Sequence, residues 1–264
     1  MSTPTSFCQP TSFCTVSTNP CKHELILLLN SIAFCHPNAK VYIVCDTPTY
    51  TEIANMFHDN LQIHLYVELD QYSKLSRQEM TEKGIWGEFQ MAKATAIEHA
   101  LSHNTDTLFV DCDVVFLEPI SHIDSSKQLG VSRGYINEET ASKVGIYNGG
   151  FLWTNQRTLP SKWREYTKTS RYFDQASIED LTREYTFFEF PEQCNFQSWR
   201  FIVGDTANPE KYFNPTHRHI LYKDKRLQSI HSHFRDPRFK PINDFFLQQL
   251  KQANMRHILT MLKS

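Results

Sequence analysis

The most informative stretch of this chain is Leu108-Phe109-Val110-Asp111-Cys112-Asp113-Val114-Val115-Phe116. Three apolar residues at its start predict a buried strand, and two carboxylates separated by one residue follow directly. Burying two acids at a strand end without a cation is costly, because desolvation and repulsion between like charges both raise the free energy. The pattern therefore predicts that Asp111 and Asp113 bind Mg²⁺ or Mn²⁺, which prefer oxygen ligands.

The residues upstream alternate between strand and helix patterns. Strands are predicted at 13–16, 41–45, 63–67 and 108–110, and helices at 21–34, 49–57 and 85–102. This alternation is typical of βαβ units and predicts a largely parallel sheet over residues 10–115. Ligands of such sheets bind beyond the carboxyl ends of the strands, where Asp46 and Asp111 stand. Ser17 and Thr18 also follow a strand, and they are assigned to the same ligand site.

The second half of the chain is less regular. Strands are predicted at 129–132, 147–153 and 229–233, and helices at 161–168, 177–183 and 245–262. No linker rich in Gly or Pro interrupts the sequence, so residues 1–264 are predicted to form one domain. Within it, we expect two lobes, over about 12–115 and 116–242, and a closing helix over 243–264.

Composition excludes several classes of protein. The net charge of −2 argues against a nucleic-acid partner, which usually requires a clear basic excess. The 264 residues are 40% hydrophobic and 13% aromatic, which is too apolar for a disordered chain. No apolar run approaches the roughly 18–20 residues that cross a bilayer. No basic residue precedes Lys22, as one would in a secretory signal, so a cytoplasmic location is expected.

Four further motifs follow the acidic pair, in a fixed order. They are Tyr147-Asn148-Gly149-Gly150-Phe151-Leu152-Trp153, Phe173-Asp174-Gln175, Ile230-His231-Ser232-His233-Phe234 and Lys240-Pro241. This order resembles the retaining glycosyltransferases with a GT-A fold, the group that includes glycogenin and bacterial lipopolysaccharide galactosyltransferases. The resemblance covers about residues 12–242. It implies an α/β fold in which helices flank a mixed, mostly parallel central sheet. It also implies that the lobe over 12–115 binds the nucleotide and that the lobe over 116–242 binds the donor sugar and the acceptor.

The resemblance also implies a role for each matching residue. Asp111 and Asp113 would bind Mn²⁺, with Asp111 also near the ribose of the donor. The family has one metal-binding His before Lys-Pro, whereas this chain offers His231 and His233, and the choice between them is open. Lys240 would meet the diphosphate. The remaining residues assigned to the donor are Lys93, Cys112, Asn148, Gly149, Asp174 and Gln175.

The activity implied is sugar transfer from a nucleotide-diphosphate donor, expected to be a UDP-sugar, to a glycan or another hydroxyl acceptor. Asp174 would hold a hydroxyl of the donor sugar and Gln175 would lie beneath the anomeric carbon. Because an amide cannot act as a general base near neutral pH, the Asp-Gln pair favours retention of the anomeric configuration. The sequence does not indicate an oligomeric state.

Two other functions are compatible with the acidic pair. In a haloacid-dehalogenase-type phosphatase Asp111 would be a covalent nucleophile, and Phe201-Ile202-Val203-Gly204-Asp205 resembles a later metal-binding strand of that family. That family has its nucleophile near the start of the domain, whereas here about 110 residues precede it. A non-catalytic relative that only binds nucleotide sugars is the other alternative. The presence of both Asp residues and of a candidate His ligand favours an enzyme.

Most of these residues also have an ordinary structural interpretation. Asn148-Gly149-Gly150 is by itself a turn signal, and Asp174 is a possible helix cap. Asp46 is suited equally to bonding a uracil base and to capping the next helix. Lys93 is typical of a solvated helix surface. Segment 217–240, with a local charge of +5, is either a solvated face or a cradle for phosphates, and Trp153 is the one tryptophan expected near a bound sugar.

Overall fold

The computed structural model describes residues 7–56 and 60–263. The predicted end of a helix at Phe57, and residues 1–6 and 264 of the predicted domain, lie outside the described residues. The strands are β1 (Phe7–Cys8), β2 (Phe13–Ser17), β3 (Ala39–Cys45), β4 (Leu61–Val67), β5 (Thr107–Val110), β6 (Val114–Phe116), β7 (Ile123–Asp124), β8 (Leu129–Arg133), β9 (Tyr147–Thr154), β10 (Phe187–Glu189), β11 (Phe196–Gln197), β12 (Phe213–Thr216), β13 (His219–Tyr222), β14 (Lys225–Arg226) and β15 (Ser229–His231).

The α-helices account for most of the remaining chain, and short 3₁₀ turns connect some of them. They are α1 (Lys22–Cys35), α2 (Thr47–Ala54), α3 (Arg77–Glu82), α4 (Trp86–Gln90), α5 (Ala92–His103), α6 (Glu138–Val144), α7 (Leu159–Thr167), α8 (Phe173–Ala176), α9 (Ile178–Glu184), α10 (Arg200–Val203), α11 (Lys240–Gln252) and α12 (Arg256–Lys263). Across the described ranges, none of these helices combines the length and the apolar character that crossing a bilayer requires.

A seven-stranded sheet in the order β10-β8-β9-β5-β2-β3-β4 organises the molecule. β9 runs antiparallel to its neighbours β8 and β5, whereas the other pairs in this sheet are parallel. The predicted mixed, mostly parallel sheet is therefore confirmed. The chain passes through β2, β3 and β4 in turn and then returns to the other side of β2 as β5. This reversal opens a crevice between the carboxyl ends of β2 and β5.

The core explains why the central strands have nearly continuous apolar sequences. Val41, Ile43 and Cys45 of β3 pack in one cluster with residues of α1, and Tyr42 and Val44 pack in another with residues of α5. A parallel strand covered on both faces needs apolar residues at every position rather than at alternate ones. The two layers of helices hold the strand ends, and hence the crevice, in fixed positions.

A small second sheet brings a distant segment to the acidic pair. It has the order β11-β15-β6, and β15 runs antiparallel to β6 with His231 opposite Val114. The backbone N–H of Ser232 donates to the carbonyl oxygen of Asp113 at 3.1 Å. This register sets His231 beside Asp113, although the two residues are far apart in sequence.

Two predicted helices are divided in the structure, and one predicted strand is shorter than expected. The helix expected over 85–102 is divided into α4 and α5, because the N–H groups of Met91 and Ala94 bond to carbonyls three residues earlier instead of four. The helix expected over 245–262 is divided into α11 and α12. Asn254 adopts a left-handed φ of 56° and the Met255 N–H bonds to the Leu250 carbonyl, an arrangement that ends helices. The strand expected over 229–233 ends at His231.

Candidate active site

Asp111, Asp113 and His231 form a cluster at the crevice. Nε2 of His231 lies 3.1 Å from Asp113 Oδ1 and 4.0 Å from Asp111 Oδ2. One ligand atom from each of the three side chains lies within 4.8 Å of the others. Two carboxylates and one imidazole are a suitable donor set for a divalent cation such as Mn²⁺.

Gly150 gives the cluster the room it needs. A Cβ atom at this position would lie 2.2 Å from Asp111 Oδ2 and 2.7 Å from His231 Cε1. Only a hydrogen atom fits there, so β9 approaches the two ligands as closely as a backbone can. The close approach of β9 at Gly150 and the chemistry of the three donors both fit a bound cation.

The two histidines occupy different environments. His231 is in β15 with its side chain 11% exposed, whereas the side chain of His233 is 45% exposed. His233 Nδ1 lies 3.0 Å from Asp113 Oδ2, on the side of that carboxylate opposite His231. His231 belongs to the three-residue cluster and His233 does not. The geometry therefore favours His231 of the two predicted ligands.

Charges within the cluster determine its protonation. Burial would raise the pKa of the Asp113 carboxyl, but the charges of His231 and His233 outweigh it and hold this pKa well below its ordinary value. Burial would likewise lower the pKa of His231, and the Asp113 carboxylate reverses that effect. Asp113 is therefore ionised at neutral pH, which is the form that binds a metal.

Lys93 connects the acidic pair to the Asp-Gln motif. It lies in α5 and is 8% exposed, so it is not a solvated surface residue. Its Nζ lies 3.2 Å from Asp111 Oδ1 and 2.9 Å from Asp174 Oδ2, and it donates to the Gly149 carbonyl at 3.2 Å. Burial opposes the charged form, but Asp111 and Asp174 outweigh it and raise the pKa of Lys93.

Asp174 and Gln175 lie in the short helix α8. Phe173 begins this helix with a left-handed φ of 39°, and the carbonyl oxygen of Asp174 accepts hydrogen bonds from Trp163 Nε1 and Ser177 Oγ at 2.9 and 2.7 Å. The Asp174 carboxylate faces Lys93 instead of capping a helix. Gln175 lines the cavity described below.

Asn148, Gly149 and Gly150 are part of β9 and do not form a turn. Asn148 Oδ1 accepts hydrogen bonds from the Gly150 N–H and from Asn195 Nδ2, both at 3.1 Å. A Cβ atom at Gly149 would lie 2.4 Å from Asp174 Oδ2. The two glycines therefore let the strand pass close to both acidic groups.

These side chains surround a cavity of about 740 Å³. It lies over the crevice and brings together most of the residues that the sequence assigned to a ligand: Ser17, Thr18, Lys93, Asp111, Cys112, Asp113, Asn148, Gly149, Asp174, Gln175, His231 and His233. Sequence patterns missed other lining residues. Arg77 adds positive charge, and Trp86 and Trp199 add aromatic surface, whereas Arg235 and Arg238 of the lining belong to the basic segment 217–240.

Three predicted contacts are not found at the cavity. Asp46 is fully buried, and its two carboxylate oxygens accept the backbone N–H groups of Thr49 and Asn19 at 3.0 and 2.9 Å. It caps α2, which is one of the two roles expected for it, and within the described residues it is not part of the cavity lining, so its bond to a uracil base stays a prediction. Trp153 is 1% exposed and is a core residue, not a surface for a sugar.

Lys240 lies at the start of α11 with its side chain 70% exposed, and its Nζ is 2.5 Å from Asp244 Oδ2. It is not among the described residues that line the cavity. The basic segment 217–240 reaches the cavity through Arg235 and Arg238 instead. A contact between Lys240 and a diphosphate therefore stays a prediction.

The phosphatase alternative does not agree with the fold. Its second metal-binding strand was expected at residues 201–205, but Arg200–Val203 forms helix α10. Asp205 is exposed, and within the described chain it is not part of the cavity lining. No second acidic element therefore meets Asp111 from that segment.

Comparison with known proteins agrees with this geometry. The profile of the nucleotide-diphospho-sugar transferase family matches residues 38–231. No curated protein matches the sequence. Among solved structures, the galactosyltransferase LgtC in complex with donor and acceptor sugar analogues is 14% identical with a TM-score of 0.52, covering 92% of this chain and 95% of its own.

Two other structures have the same fold. Mouse xyloside xylosyltransferase 1 in its apo form is 11% identical with a TM-score of 0.51, covering 84% of this chain and 97% of its own. The apo form of the glycosyltransferase GlyE of Streptococcus pneumoniae is 13% identical with a TM-score of 0.50, covering 73% of this chain. The chain spans only 48% of the length of GlyE. These similarities confirm the GT-A fold.

Proposed function

The chain belongs to the nucleotide-diphospho-sugar transferase family, and we propose that it moves a sugar from a nucleotide-diphosphate donor to a hydroxyl acceptor in a metal-dependent reaction. The observation that carries the proposal is the cluster of Asp111, Asp113 and His231 beside a cavity of about 740 Å³. We propose a UDP-sugar as the donor, a glycan or another hydroxyl compound as the acceptor, and retention of the anomeric configuration.

The metal-binding side of the site serves the departing diphosphate. Asp111, Asp113 and His231 would hold Mn²⁺ or Mg²⁺, which supplies positive charge against the leaving group when bound. Arg235 is exposed at the cavity, and its guanidinium group is placed to add a second positive charge. Lys240 would contribute only after its ammonium group leaves Asp244, so we assign it a smaller part in neutralising the diphosphate.

The opposite side of the site serves the donor sugar. Asn148 and Asp174 would hold its hydroxyls, and the ion pair with Lys93 fixes the Asp174 carboxylate at the cavity. Gln175 would lie beneath the anomeric carbon, where its carbonyl oxygen can favour developing positive charge. An amide takes up no proton near neutral pH, so Gln175 cannot act as a general base. In this proposal the hydroxyl acceptor is therefore activated without a protein base beneath the sugar.

The rim of the cavity offers a surface for the acceptor. Trp199 is 44% exposed and lines the cavity, and its ring packs edge-on against Phe239 at a centroid distance of 5.3 Å. An indole held in this way presents an apolar face together with a polar N–H, which suits a sugar better than a purely apolar molecule. This arrangement supports a glycan acceptor.

The proposed function is tested by incubating the protein with Mn²⁺ and a panel of UDP- and GDP-sugars and measuring nucleotide release. We expect slow hydrolysis of one donor, its loss on EDTA treatment and its recovery on addition of Mn²⁺. Asp113→Asn should abolish the release. Asp205→Asn is the matched control and should not change it, because Asp205 lies outside the cavity lining described above. Release of phosphate from simple esters instead would support the phosphatase.

A further inference from the structure

Asn195 is a buried amide that directly precedes β11 and is 1% exposed. β11 pairs in parallel with β15, with Gln197 opposite His231. This pairing holds Asn195 next to the ring nitrogen of His231 that does not face Asp113. Within the described residues, the cavity lining includes His231 and Asn148 but not Asn195, so Asn195 does not meet a bound substrate directly.

The hydrogen bonds of Asn195 form a directed chain that begins at the backbone. The Gly150 N–H donates to Asn148 Oδ1, so this atom is an acceptor. Asn195 must then present its Nδ2 to the same oxygen, at 3.1 Å, and Nδ2 also donates to Ser132 Oγ at 3.0 Å. Its Oδ1 is left facing His231 Nδ1 at 3.1 Å. A carbonyl oxygen only accepts, so His231 Nδ1 must carry a proton. Nε2 lies 3.1 Å from Oδ1 of Asp113, which also only accepts, so without metal Nε2 donates to this carboxylate, and a cation that binds Nε2 would release that proton.

We propose that Asn195 is a positioning residue that holds His231 with Nδ1 protonated and Nε2 available to the metal. The inference rests on the proposed function, in which His231 binds the cation. An imidazole with only one protonated nitrogen can bind a metal through the other, and a fixed partner on the first nitrogen sets both the tautomer and the ring orientation. Asn195 supplies that partner from outside the cavity.

The same amide also connects the two sides of the site. Through Nδ2 it holds Asn148, which we assign to the donor sugar, and through Oδ1 it holds the metal-binding His231. A change at Asn195 therefore affects metal binding first, because only the Oδ1 contact determines which nitrogen of His231 is free.

Mn²⁺ binding to purified variants, measured from the electron paramagnetic resonance signal of free Mn²⁺ with UDP present, tests this role without an activity assay. Asn195→Ala removes all three side-chain hydrogen bonds, whereas Asn195→Asp loses the two donated by Nδ2 and keeps an oxygen acceptor for the Nδ1–H of His231. Ser132→Ala is the matched control, because it removes the other partner of Asn195 Nδ2 and leaves His231 untouched. Urea unfolding of each variant separates loss of stability from loss of affinity.

We expect Asn195→Ala to raise the Kd for Mn²⁺ by about 10–100-fold, as is typical when the partner of a metal ligand is lost. Asn195→Asp and Ser132→Ala should bind Mn²⁺ almost as tightly as the wild type. If Asn195→Ala does not fold, Asn195→Ser replaces it, since the shorter side chain does not reach His231.

Two results would overturn the inference while leaving the proposed function in place. One is a wild-type Kd in a destabilised Asn195→Ala variant, which would make the residue purely structural. The other is an equal loss of affinity in Asn195→Asp, which would show that the acceptor oxygen is not the feature that matters. A wild-type protein that binds no Mn²⁺ would contradict the proposed function, and this inference with it.

Discussion

Gly149 and Gly150 are neighbours in β9, but each lies against a different part of the site: Gly150 against the metal-binding cluster and Gly149 against Asp174. A methyl group at Gly150 would collide with Asp111 and His231, whereas one at Gly149 would collide with Asp174 Oδ2 at 2.4 Å. The same small substitution one residue apart therefore disturbs either the metal-binding cluster or the group assigned to the donor sugar.

We predict that Gly150→Ala raises the Kd for Mn²⁺ by about 10–100-fold, because it displaces two of the three ligands. Gly149→Ala should instead lower kcat while the Mn²⁺ affinity stays near that of the wild type. Metal titrations of both variants, with nucleotide release as the second readout, provide the check. Identical effects of the two substitutions on metal affinity would contradict the assignment of separate roles.

His36 provides a separate test of the electrostatics of the core. It is 5% exposed, and its Nε2 accepts the backbone N–H of Ile120 at 3.0 Å. Burial lowers the pKa of His36 to about 4, against about 6.5 in an unfolded chain. The unfolded chain therefore binds the proton more readily, so this contribution to stability is complete above about pH 6.5 and is lost as the pH falls towards 4.

We expect the free energy of unfolding of the wild type to fall by about 2–3 kcal/mol more than that of His36→Gln between pH 7 and about pH 4.5. Gln keeps an acceptor for the Ile120 N–H but does not titrate, so groups common to both proteins cancel. Urea unfolding at a series of pH values measures the difference. Parallel pH profiles would show that His36 is not the buried neutral group described.

At the scale of elements, α5 supplies the cation that holds two acidic segments together. Lys93 reaches Asp111 at the end of β5 and Asp174 in α8. The contact with Asp174 is buried, and the contact with Asp111, whose side chain is 29% exposed, is partly buried. Removing one partner of a buried ion pair is strongly destabilising, because the remaining charges lose their compensation.

Lys93→Met should therefore lower the free energy of unfolding by about 3 kcal/mol without metal. Added Mn²⁺ should restore part of this loss, since it would neutralise Asp111 but not Asp174. Lys162→Met, which removes an exposed ion pair with Glu165, is the control and should lower the free energy of unfolding far less, because water screens exposed charges. An effect of Lys93→Met as small as that of the control would contradict the buried ion-pair network.

Strands and helices that are marked by a local pattern of apolar residues were predicted well from sequence. Features that depend on contacts between distant residues were not. The run before Asp111 and the alternation of strands and helices predicted the sheet and its crevice, because apolar periodicity is local. The breaks at Met91 and Asn254 have weak local signals, since neither residue is Gly or Pro. Lys93 looked like a surface residue because its partners are distant in sequence.

The same reasoning explains why the sequence did not indicate the position of every residue at the site. Asp46 follows a strand as Asp111 does, and only the backbone N–H groups that meet its carboxylate distinguish a helix cap from a ligand. Asn195 belongs to no motif, and it acquires a role only through the pairing of β11 with β15. The choice between His231 and His233 likewise required the register of β15 on β6.

At the scale of the whole molecule, the arrangement of the two sides of the cavity predicts the stereochemical result. The metal-binding cluster, Arg235 and Gln175 all line the cavity. We assign Gln175 to the donor sugar, where an inverting enzyme would need a carboxylate base. We predict an α-linked product from an α-linked donor.

Proton NMR of the anomeric signal, recorded before any free sugar mutarotates, tests this prediction. Gln175→Glu is an informative companion variant, because it adds a carboxylate where the wild type has an amide. A β-linked product from the wild type would contradict retention and move the catalytic role to a carboxylate in the acidic segment 179–192.

Anomalous X-ray diffraction from crystals grown with Mn²⁺ and UDP tests the central claim most directly. We predict an anomalous peak bounded by the carboxylates of Asp111 and Asp113 and by Nε2 of His231, with the diphosphate of UDP on its open side. The peak should be absent from Asp113→Asn crystals grown in the same way. A peak at other residues, or UDP bound in the cavity with no metal at this cluster, would contradict a metal-dependent transferase built on these three ligands.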